Sequence, residues 1–393
     1  MLNILYNMNG TDKIGWRYTI RAVEMANEIQ LFRLSDDSSS DTRCVWDYTA
    51  WLLFTWQRCV GNLCRIPRHR FKMLTLAFSL YSYNLQRQPL VKEPPQSPLP
   101  DPAAYPQWYG ELWVKYPLGK SPLPTHHALL FKAKADLWTV VNDFSVQFFR
   151  DSDSLRRLSH DQVCTYYNKL VSWYERLPDP LTPRKITLPN QIKLHVLYNL
   201  LVMDLLKPFI GHPWILRAPH RRFPDQSPRS AFQDAMVRFE TTLRLYYLRH
   251  GYETLDIFLM QFLGVLASLM MELMAENEGK PVVESLRSTL LLAAKGIWHQ
   301  GQSTYVAGAV TRLLARSMRA EDVGLLRRYI KLEPAQLRGR ESLGPIQSIW
   351  PYFSVGHERL TETLTWKMEL LALNGSVSPG GGLTEPRTER VGP

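Results

Sequence analysis

The sequence predicts an all-α protein, and three observations support that fold class. In one stretch after another, apolar residues recur at spacings of three and four, which is the repeat of a helix face. Ser, Thr, Asp and Pro stand where these patterns begin, and further prolines stand where they end. No stretch between turn signals alternates apolar and polar residues in the way a half-buried strand does. We therefore expect a multi-helix domain with long Pro-rich connectors.

The first part of the chain, 1–88, predicts two long helices. Apolar residues at helical spacing place the first over 11–31, with Thr11 or Asp12 as its cap. A run of Asp and Ser over 35–41 predicts a solvated loop. The second helix is expected to begin at Asp41 and to end near Pro67.

A proline-rich stretch separates these helices from the rest. Residues 89–124 contain ten prolines, which remove backbone donors and disfavour helix at each preceding residue, so we expect an extended connector. A helix is then predicted over 125–149, and Ser159 with Gln162 forms a capping-box pattern for the next. Another Pro-rich connector, 208–228, carries a basic cluster.

The remaining helices follow one another closely. They are predicted at 189–208, 228–248, 252–276, 282–300 and 303–318, with a short one from Ala320. The longest uncharged apolar run, 257–271, is shorter than the ~20 residues that cross a bilayer, so we expect a buried core helix and no membrane partner. The Gly-, Pro- and Ser-rich tail, 373–393, is predicted to be disordered.

The composition excludes several classes of protein. With 393 residues, 45% hydrophobic and 21% charged, the chain is globular and not an intrinsically disordered or collagen-like polymer. Four scattered cysteines exclude a disulfide scaffold and favour a reducing compartment. The net charge of +11 favours acidic partners, but it is too diffuse to identify a nucleic-acid-binding protein.

The usual motifs of nucleotide-binding proteins and hydrolases do not occur in the sequence. There is no GxxxxGK[ST], GxGxxG or GxSxG. The adjacent pair His126-His127 cannot present both rings to one metal from a helix, and His357-Glu358 lacks a second His four residues on. Surface or cap histidines are the more frequent interpretation at these positions.

One enzymatic hypothesis stays open as the alternative. Asp36, Asp37 and Asp41 resemble the aspartate-rich magnesium motif of class I terpene synthases, which are also all-α and hold a diphosphate through Mg²⁺. That family's second motif is only partly matched by Asn142-Asp143-Phe144-Ser145, in which Ser145 stands one position early. An Asp/Ser run between helices is more often a solvated loop and cap.

Three groups of basic residues are candidates for phosphate contacts. One comprises Arg65, Arg68, His69, Arg70 and Lys72, a second comprises Arg327, Arg328 and Lys331, and the 208–228 connector adds Arg217, His220, Arg221 and Arg222. Such groups neutralise phosphates, but they also suit the carboxyl ends of helices, where the macrodipole favours cations. No recognition helix accompanies them, so we assign no DNA-binding residue.

Near the amino end, two stretches carry a distinctive pattern of Trp, Tyr, Ala and Met. The first contains Gly15-Trp16-Arg17-Tyr18, Ala22-Val23-Glu24-Met25-Ala26 and Ile29-Gln30-Leu31-Phe32. It resembles the "W-x-Y, A-x-x-M-A, L-G-L-H" helix in the middle homology region of fungal zinc binuclear cluster transcription factors, with Phe32 in place of the His. The second, Val45-Trp46-Asp47-Tyr48 to Gln57-Arg58, stands where that family has an Arg-rich, Trp-containing helix.

Further stretches are similar to the subgroup of that family related to nitrogen-assimilation activators. They are Trp113–Leu118, Pro124-Thr125-His126, Ala135–Asp143, Tyr166–Leu170, Trp173-Tyr174, Leu181–Arg184 and Leu188–His195. The pattern of the region's last helices is matched by Ala294-Lys295-Gly296, Gln300-Gly301-Gln302, Met318-Arg319 and Ser348-Ile349-Trp350-Pro351. Together these stretches cover about 2–372.

The resemblance implies an α-helical regulatory module of a nuclear transcription regulator. It divides the chain into 1–88, a truncated first part of the regulatory domain; 89–124, the connector; 125–372, the carboxyl-terminal helical part; and 373–393, the tail. The family's six-cysteine zinc cluster is expected upstream, so we assign no cofactor and no catalytic, metal-binding or DNA-binding residue to this chain.

The partners implied are other transcription-machinery proteins or a homologous regulator, with a homodimer as an option. DNA would be reached indirectly or through the missing amino-terminal segment. The chain is a truncated gene product, a stand-alone regulatory body or a nonfunctional relic. Because the early helices would lack upstream partners, we expect them to expose an apolar patch.

Overall fold

A computed structural model describes residues 2–33, 40–60, 90–115, 121–148, 159–211, 213–216 and 225–331. Within these ranges the protein is all-α, as the sequence predicts. The helices are α1 (Leu2–Met8), α2 (Asp12–Glu28), α3 (Ser40–Val60), α4 (Pro106–Tyr109), α5 (His127–Phe148), α6 (His160–Glu175), α7 (Pro189–Leu206), α8 (Pro228–His250), α9 (Ile257–Glu276), α10 (Val282–Gly301), α11 (Tyr305–Ser317) and α12 (Ala320–Leu326). The predicted tail, 373–393, lies outside the described residues.

The amino-terminal pair α1 and α2 is joined by a buried polar contact. The amide of Asn3 donates to the hydroxyl of Thr19 at 3.0 Å, and both side chains are buried. The predicted cap is wrong for Thr11, because its hydroxyl donates to the carbonyl of Tyr6 at 3.2 Å instead of accepting from the first turn of α2. Helix α1 itself is not predicted by the sequence pattern.

The connector after α3 is only partly extended. It contains the short helix α4 and two antiparallel strands, β1 (Trp113–Val114) and β2 (Leu123–Pro124), which corrects the expectation of a plain extended segment. The connector is fastened to α3, because the indole of Trp51 donates to the carbonyl of Ser97 at 2.8 Å. This contact places the connector against the helical body.

The main core lies among α5 to α12. Helix α7 is buried on nearly every face, since α6 and α8 both pack against it. Helix α9 packs along α10, and Leu259, Leu263 and Leu266 are fully buried there. Burial of such side chains is the dominant favourable term in folding.

Among the described residues, one helix is long and apolar enough to cross a membrane by length and composition. It is α9, and 61% of its most apolar window is buried inside the protein. The burial is consistent with the predicted core helix.

The predicted starts of α6 and α7 are confirmed, whereas the helix predicted from residue 252 begins at Ile257, after Asp256, whose carboxylate accepts from the N–H of Phe258. The hydroxyl of Ser159 accepts from the backbone N–H of Gln162 at 3.2 Å, and the Gln162 side chain accepts from the N–H of Ser159 at 2.9 Å. This is the predicted capping box of α6. Pro189 is the first residue of α7, where its missing N–H costs nothing.

Candidate functional site

The aspartates of the magnesium hypothesis fall largely outside the described residues. Asp36 and Asp37 lie there entirely, and Asp41 lies within α3 with its side chain outside the description. Their proposed partners are described. The amide of Asn142 is buried and donates to the carbonyl of Lys92 at 2.8 Å, while the carboxylate of Asp143 lies 3.0 Å from the ammonium of Lys169.

These contacts give the terpenoid alternative no support. Asn142 fastens the connector to α5 through its hydrogen bond to the carbonyl of Lys92. Asp143 is neutralised by a lysine of the neighbouring helix. In the part of the chain that the structure describes, no three His, Cys, Asp or Glu side chains gather as metal ligands.

The structure instead presents a groove between α5 and α6. Its volume is about 530 Å³. Eight residues line it: Thr139, Val140 and Asp143 from α5, with Thr165, Asn168, Lys169, Ser172 and Arg176 from α6 and its carboxyl end. The sequence pattern does not reveal this groove, because its residues come together only when two separate helices pack.

Charge and unmet hydrogen bonding make this groove a candidate ligand site. Lys169 pairs with Asp143. Burial raises the pKa of Asp136, and the positive charge of Arg176 partly opposes this shift. The side-chain oxygen of Asn168 is buried and accepts no hydrogen bond. A buried acceptor without a donor costs roughly 1–3 kcal/mol, so a bound N–H or O–H group there would be favourable.

A buried histidine joins α6 to α7 nearby. The Nε2 of His195 donates to the carbonyl of Leu181 at 2.8 Å, so its Nδ1 is the acceptor for the hydroxyl of Tyr174 at 2.9 Å. Burial lowers the pKa of His195 and raises the pKa of Tyr174 to about 12. Both groups are therefore neutral near pH 7 and act as structural hydrogen-bonding partners.

The motif residues at the end of α10 also have structural roles. The buried amide of Gln300 donates to the carbonyls of Tyr252 and Thr254 at 2.6 and 2.9 Å, and its oxygen accepts from the N–H of Asp256 at 2.8 Å. These three hydrogen bonds hold the turn between α8 and α9 in place. Lys193 of α7 reaches the same turn through an ion pair with Asp256.

Gly296 is required by the close approach of the same loop. A Cβ atom there would lie 2.5 Å from the ring of Tyr252 and 2.6 Å from a methyl group of Leu263. Both contacts are far below van der Waals distance. The Gln and Gly of the quoted pattern are therefore explained by packing.

The remaining histidines and cysteines that the structure describes do not form a zinc site. His126 immediately precedes α5, and its backbone N–H donates to the carboxylate of Glu111 at 3.1 Å; His127 lies 2.8 Å from the hydroxyl of Tyr48. The described cysteines stand apart: Cys44 contacts the carbonyl of Trp108, and Cys164 contacts His160. The zinc of the resembling family therefore has no set of ligands among the described side chains.

Only one of the predicted basic clusters can be placed. Arg327 and Arg328 directly follow the last residue of α12, and with Lys331 they are exposed. This position agrees with the interpretation as cations at a helix carboxyl end. The cluster over 65–72, the residues 217–222 and the pair His357-Glu358 lie outside the described residues.

The early helices expose the expected apolar patch. Large hydrophobic side chains are at least one-third exposed at Leu2, Leu5, Ile14, Tyr18, Met25, Ile29, Val45 and Leu52. The rings of Tyr6 and Tyr18 stack across α1 and α2 with centroids 5.6 Å apart.

Comparison with known proteins gives one relative. The chain is 24% identical over 150 residues to the nitrogen assimilation transcription factor nirA of Emericella nidulans, which is 36% of this chain and 16% of that protein. No protein-family model and no solved structure matches. The aligned part covers less than a fifth of that relative's length.

Proposed function

We propose that this chain is the α-helical regulatory body of a fungal transcription regulator of the zinc binuclear cluster class. It contains no zinc cluster of its own among its residues and acts on transcription in the nucleus through protein partners. The observation that carries the proposal is the similarity to a nitrogen assimilation transcription factor. The all-α architecture is compatible with it.

The internal chemistry of the described body supports a non-enzymatic role. Its buried polar side chains, such as Gln300, His195 and Asn142, hold loops and helices together. Catalytic groups, by contrast, converge on a cleft with strongly shifted pKa values. In this function the chain would consist of the first part of the regulatory domain (1–88), the connector (89–124), the carboxyl-terminal helical part (125–372) and the tail (373–393).

A tethering experiment tests this function. The full chain is fused to an unrelated DNA-binding domain in a fungal cell carrying a reporter with the matching operator. We expect the fusion to change reporter expression relative to the DNA-binding domain alone. A fusion carrying Phe239→Asp is the matched control, because a charge at this fully buried position unfolds the body and should abolish the effect.

The result that overturns the proposal is equal reporter expression with and without the chain, in a fusion that is folded and nuclear. A second assay addresses the enzymatic alternative. The purified chain is incubated with a prenyl diphosphate and Mg²⁺, and we expect no turnover. Turnover that disappears in Asp36→Ala or Asp37→Ala would replace the regulatory function by the enzymatic one.

The groove between α5 and α6 favours a second, compatible function as an effector site. Lys169 and Arg176 can receive a carboxylate, Asp143 can receive an ammonium group, and the buried oxygen of Asn168 can accept from an amide. A free amino acid with a side-chain amide presents all three groups. We therefore propose an amino acid of this class as the ligand.

Titration calorimetry with L-glutamine tests the groove. We expect binding by the full chain and weaker binding by Asn168→Leu, which removes the acceptor. Arg184→Gln, an exposed charge removal at another part of the surface, is the matched control and should bind as the unmodified chain does. Binding that is absent, or equal in all three proteins, would contradict this part of the proposal and leave the tethering result untouched.

A further inference from the structure

The outer face of α2 carries a narrow apolar row. Ile14, Tyr18 and Met25 lie at helical spacing along it, and Ile29 follows directly after the last residue. Their exposed fractions are 37%, 43%, 52% and 54%. The opposite face is buried, with Trp16, Val23 and Ala26 turned into the protein. We call these four exposed side chains the α2 row.

A charged row runs beside the α2 row on the same helix. Arg17 and Arg21 occupy its amino-terminal half, and Glu24 and Glu28 occupy its carboxyl-terminal half. All four side chains are exposed. Arg21 lies 3.3 Å from both Glu24 and Glu28 in the single chain. The row therefore has a positive and a negative end.

The positions in each row are symmetric about a point near the middle of the helix. Ile14 and Ile29 lie equally far from the point between Arg21 and Ala22, and so do Tyr18 and Met25. The charged row is symmetric in position about a point one residue further along, between Ala22 and Val23, but opposite in sign, since Arg17 mirrors Glu28 and Arg21 mirrors Glu24. This is the arrangement that two antiparallel copies of one helix require.

We propose that two copies of this chain associate through α2, packed antiparallel about a two-fold axis near Arg21 and Ala22. Ile14 then lies against Ile29 of the second copy, and Tyr18 against Met25. Arg17 faces Glu28 of the second copy, and Arg21 faces Glu24. Helix α1 borders the apolar row, where Tyr6 stacks on Tyr18, and it enlarges the contact surface.

Charge decides the direction of the two helices. In an antiparallel pair, the flanking rows on one side face each other, so that the basic half meets the acidic half. In a parallel pair, the two charged rows lie on opposite sides of the interface, so the basic half of one copy does not meet the acidic half of the other. The attraction between the rows is therefore available only to the antiparallel pair.

A second copy fits this surface better than a membrane does. Interfacial membrane helices carry a polar face rich in Lys and Arg that meets anionic lipids. The polar row of α2 ends instead in Glu24 and Glu28, which anionic headgroups repel. The self-complementary pattern is specific to a partner that carries the same helix.

Sedimentation equilibrium of the full chain tests the proposal with a charge exchange. Arg17→Glu places two acidic groups opposite each other in a dimer, and Glu28→Arg places two basic groups there. We expect each variant alone to dimerise at least about tenfold more weakly than the unmodified chain. An equimolar mixture of the two variants restores both attractive pairs, so we expect a heterodimer to reappear.

Two further variants define the surface. Met25→Glu introduces a charge in the α2 row and should give a monomer with an unchanged circular dichroism spectrum, because the side chain is already exposed. Leu248→Glu is the matched control, since Leu248 is 80% exposed on α8 and should leave the dimer intact.

The proposal fails if the unmodified chain is monomeric at concentrations of about 100 μM, a range in which weak dimers still form. It also fails if the Met25→Glu chain still dimerises, or if the mixture of charge variants stays monomeric. Binding to phosphatidylserine vesicles by a monomeric chain, lost in Met25→Glu, would assign the surface to a membrane and overturn the dimer.

Discussion

The amino-terminal helices and the carboxyl-terminal body bury their apolar side chains to very different extents. In α5 to α12, most large apolar residues belong to one continuous core. In α1 to α3, Val23, Trp51 and Phe54 join that core, and a separate small cluster forms around Ala26, Leu31 and Ala50, while many larger apolar side chains remain at the surface. The first region therefore keeps a larger share of its apolar side chains available for a partner than the second does.

The polar side chains of the two regions differ in the same way. In the body, Gln300 and His195 are buried and reach across between elements that are distant in sequence. On the outer face of α2, Arg21 pairs with Glu24 and Glu28 of its own helix, and all three are exposed. Exposed pairs contribute about 0–1 kcal/mol, whereas a buried polar group left unsatisfied is costly. Stability should therefore depend on the body.

The largest expected effect is the loss of a buried leucine side chain, which a leucine-to-alanine substitution at three positions tests. Leu243→Ala, at a fully buried position of α8, should lower the free energy of unfolding by about 2–5 kcal/mol. Leu5→Ala in α1 and Leu248→Ala in α8 should each change it by less than about 0.5 kcal/mol, because both side chains are exposed. Urea unfolding at a concentration where the chain is monomeric measures all three. A large loss for Leu5→Ala would contradict the contrast between the regions.

The next effect concerns the turn between α8 and α9. Gln300→Leu removes the donors to the carbonyls of Tyr252 and Thr254 and the acceptor for the N–H of Asp256, and it leaves the buried carbonyl of Tyr252 unsatisfied. We expect a loss of about 2–3 kcal/mol in the free energy of unfolding. Gln302→Leu is the matched control, because Gln302 lies two residues further along the chain and is exposed. It should change the free energy of unfolding very little.

Features that depend on neighbouring residues could be predicted from the sequence. The capping box of Ser159 and Gln162, the start of α7 at Pro189 and the long helices of the body follow from spacing and local chemistry. Helix α1 was missed because seven residues are too few to show a helical repeat. The strands β1 and β2 were missed because each has two residues, too few for a pattern of alternation.

Features that depend on tertiary contacts could not be predicted. The spacing of Gly296 and Gln300 is visible in the sequence, but the loop that each contacts lies more than thirty residues away. The groove beside Asn168 forms only when α5 and α6 pack together. The magnesium hypothesis has the same weakness, because the partial second motif around Asp143 is visible in the sequence, whereas the ion pair of Asp143 with Lys169 is not.

Acidification should affect the body through His195. Burial lowers its pKa below the ordinary value, so the folded state holds the ring neutral while the unfolded chain binds a proton more readily. The stability it contributes is full above the unfolded pKa and is lost as the pH falls through it. Tyr174, which packs against the His195 ring, and Tyr198, which stacks on Tyr174, stay neutral because burial raises their pKa values.

The measurement is the free energy of unfolding between about pH 7.5 and about pH 5.5, where histidine titrates. We expect it to fall on acidification, and to fall less steeply in His195→Gln, although that variant is less stable at neutral pH. Burial lowers the pKa values of His127 and His250 in the same direction, so part of the dependence should remain. An equal slope in both proteins would exclude His195 as a contributor.

The smallest expected effect concerns the start of α6. Ser159→Ala removes the hydroxyl that accepts from the N–H of Gln162, and it should lower the free energy of unfolding by about 1 kcal/mol. Gln162→Ala removes only the reciprocal bond to the N–H of Ser159 and should cost less. Because the two bonds belong to one motif, the double variant should cost less than the sum of the single changes. Strict additivity in urea unfolding would show that the two side chains cap α6 independently, and that the cooperative box inferred from the sequence has no energetic meaning at this helix.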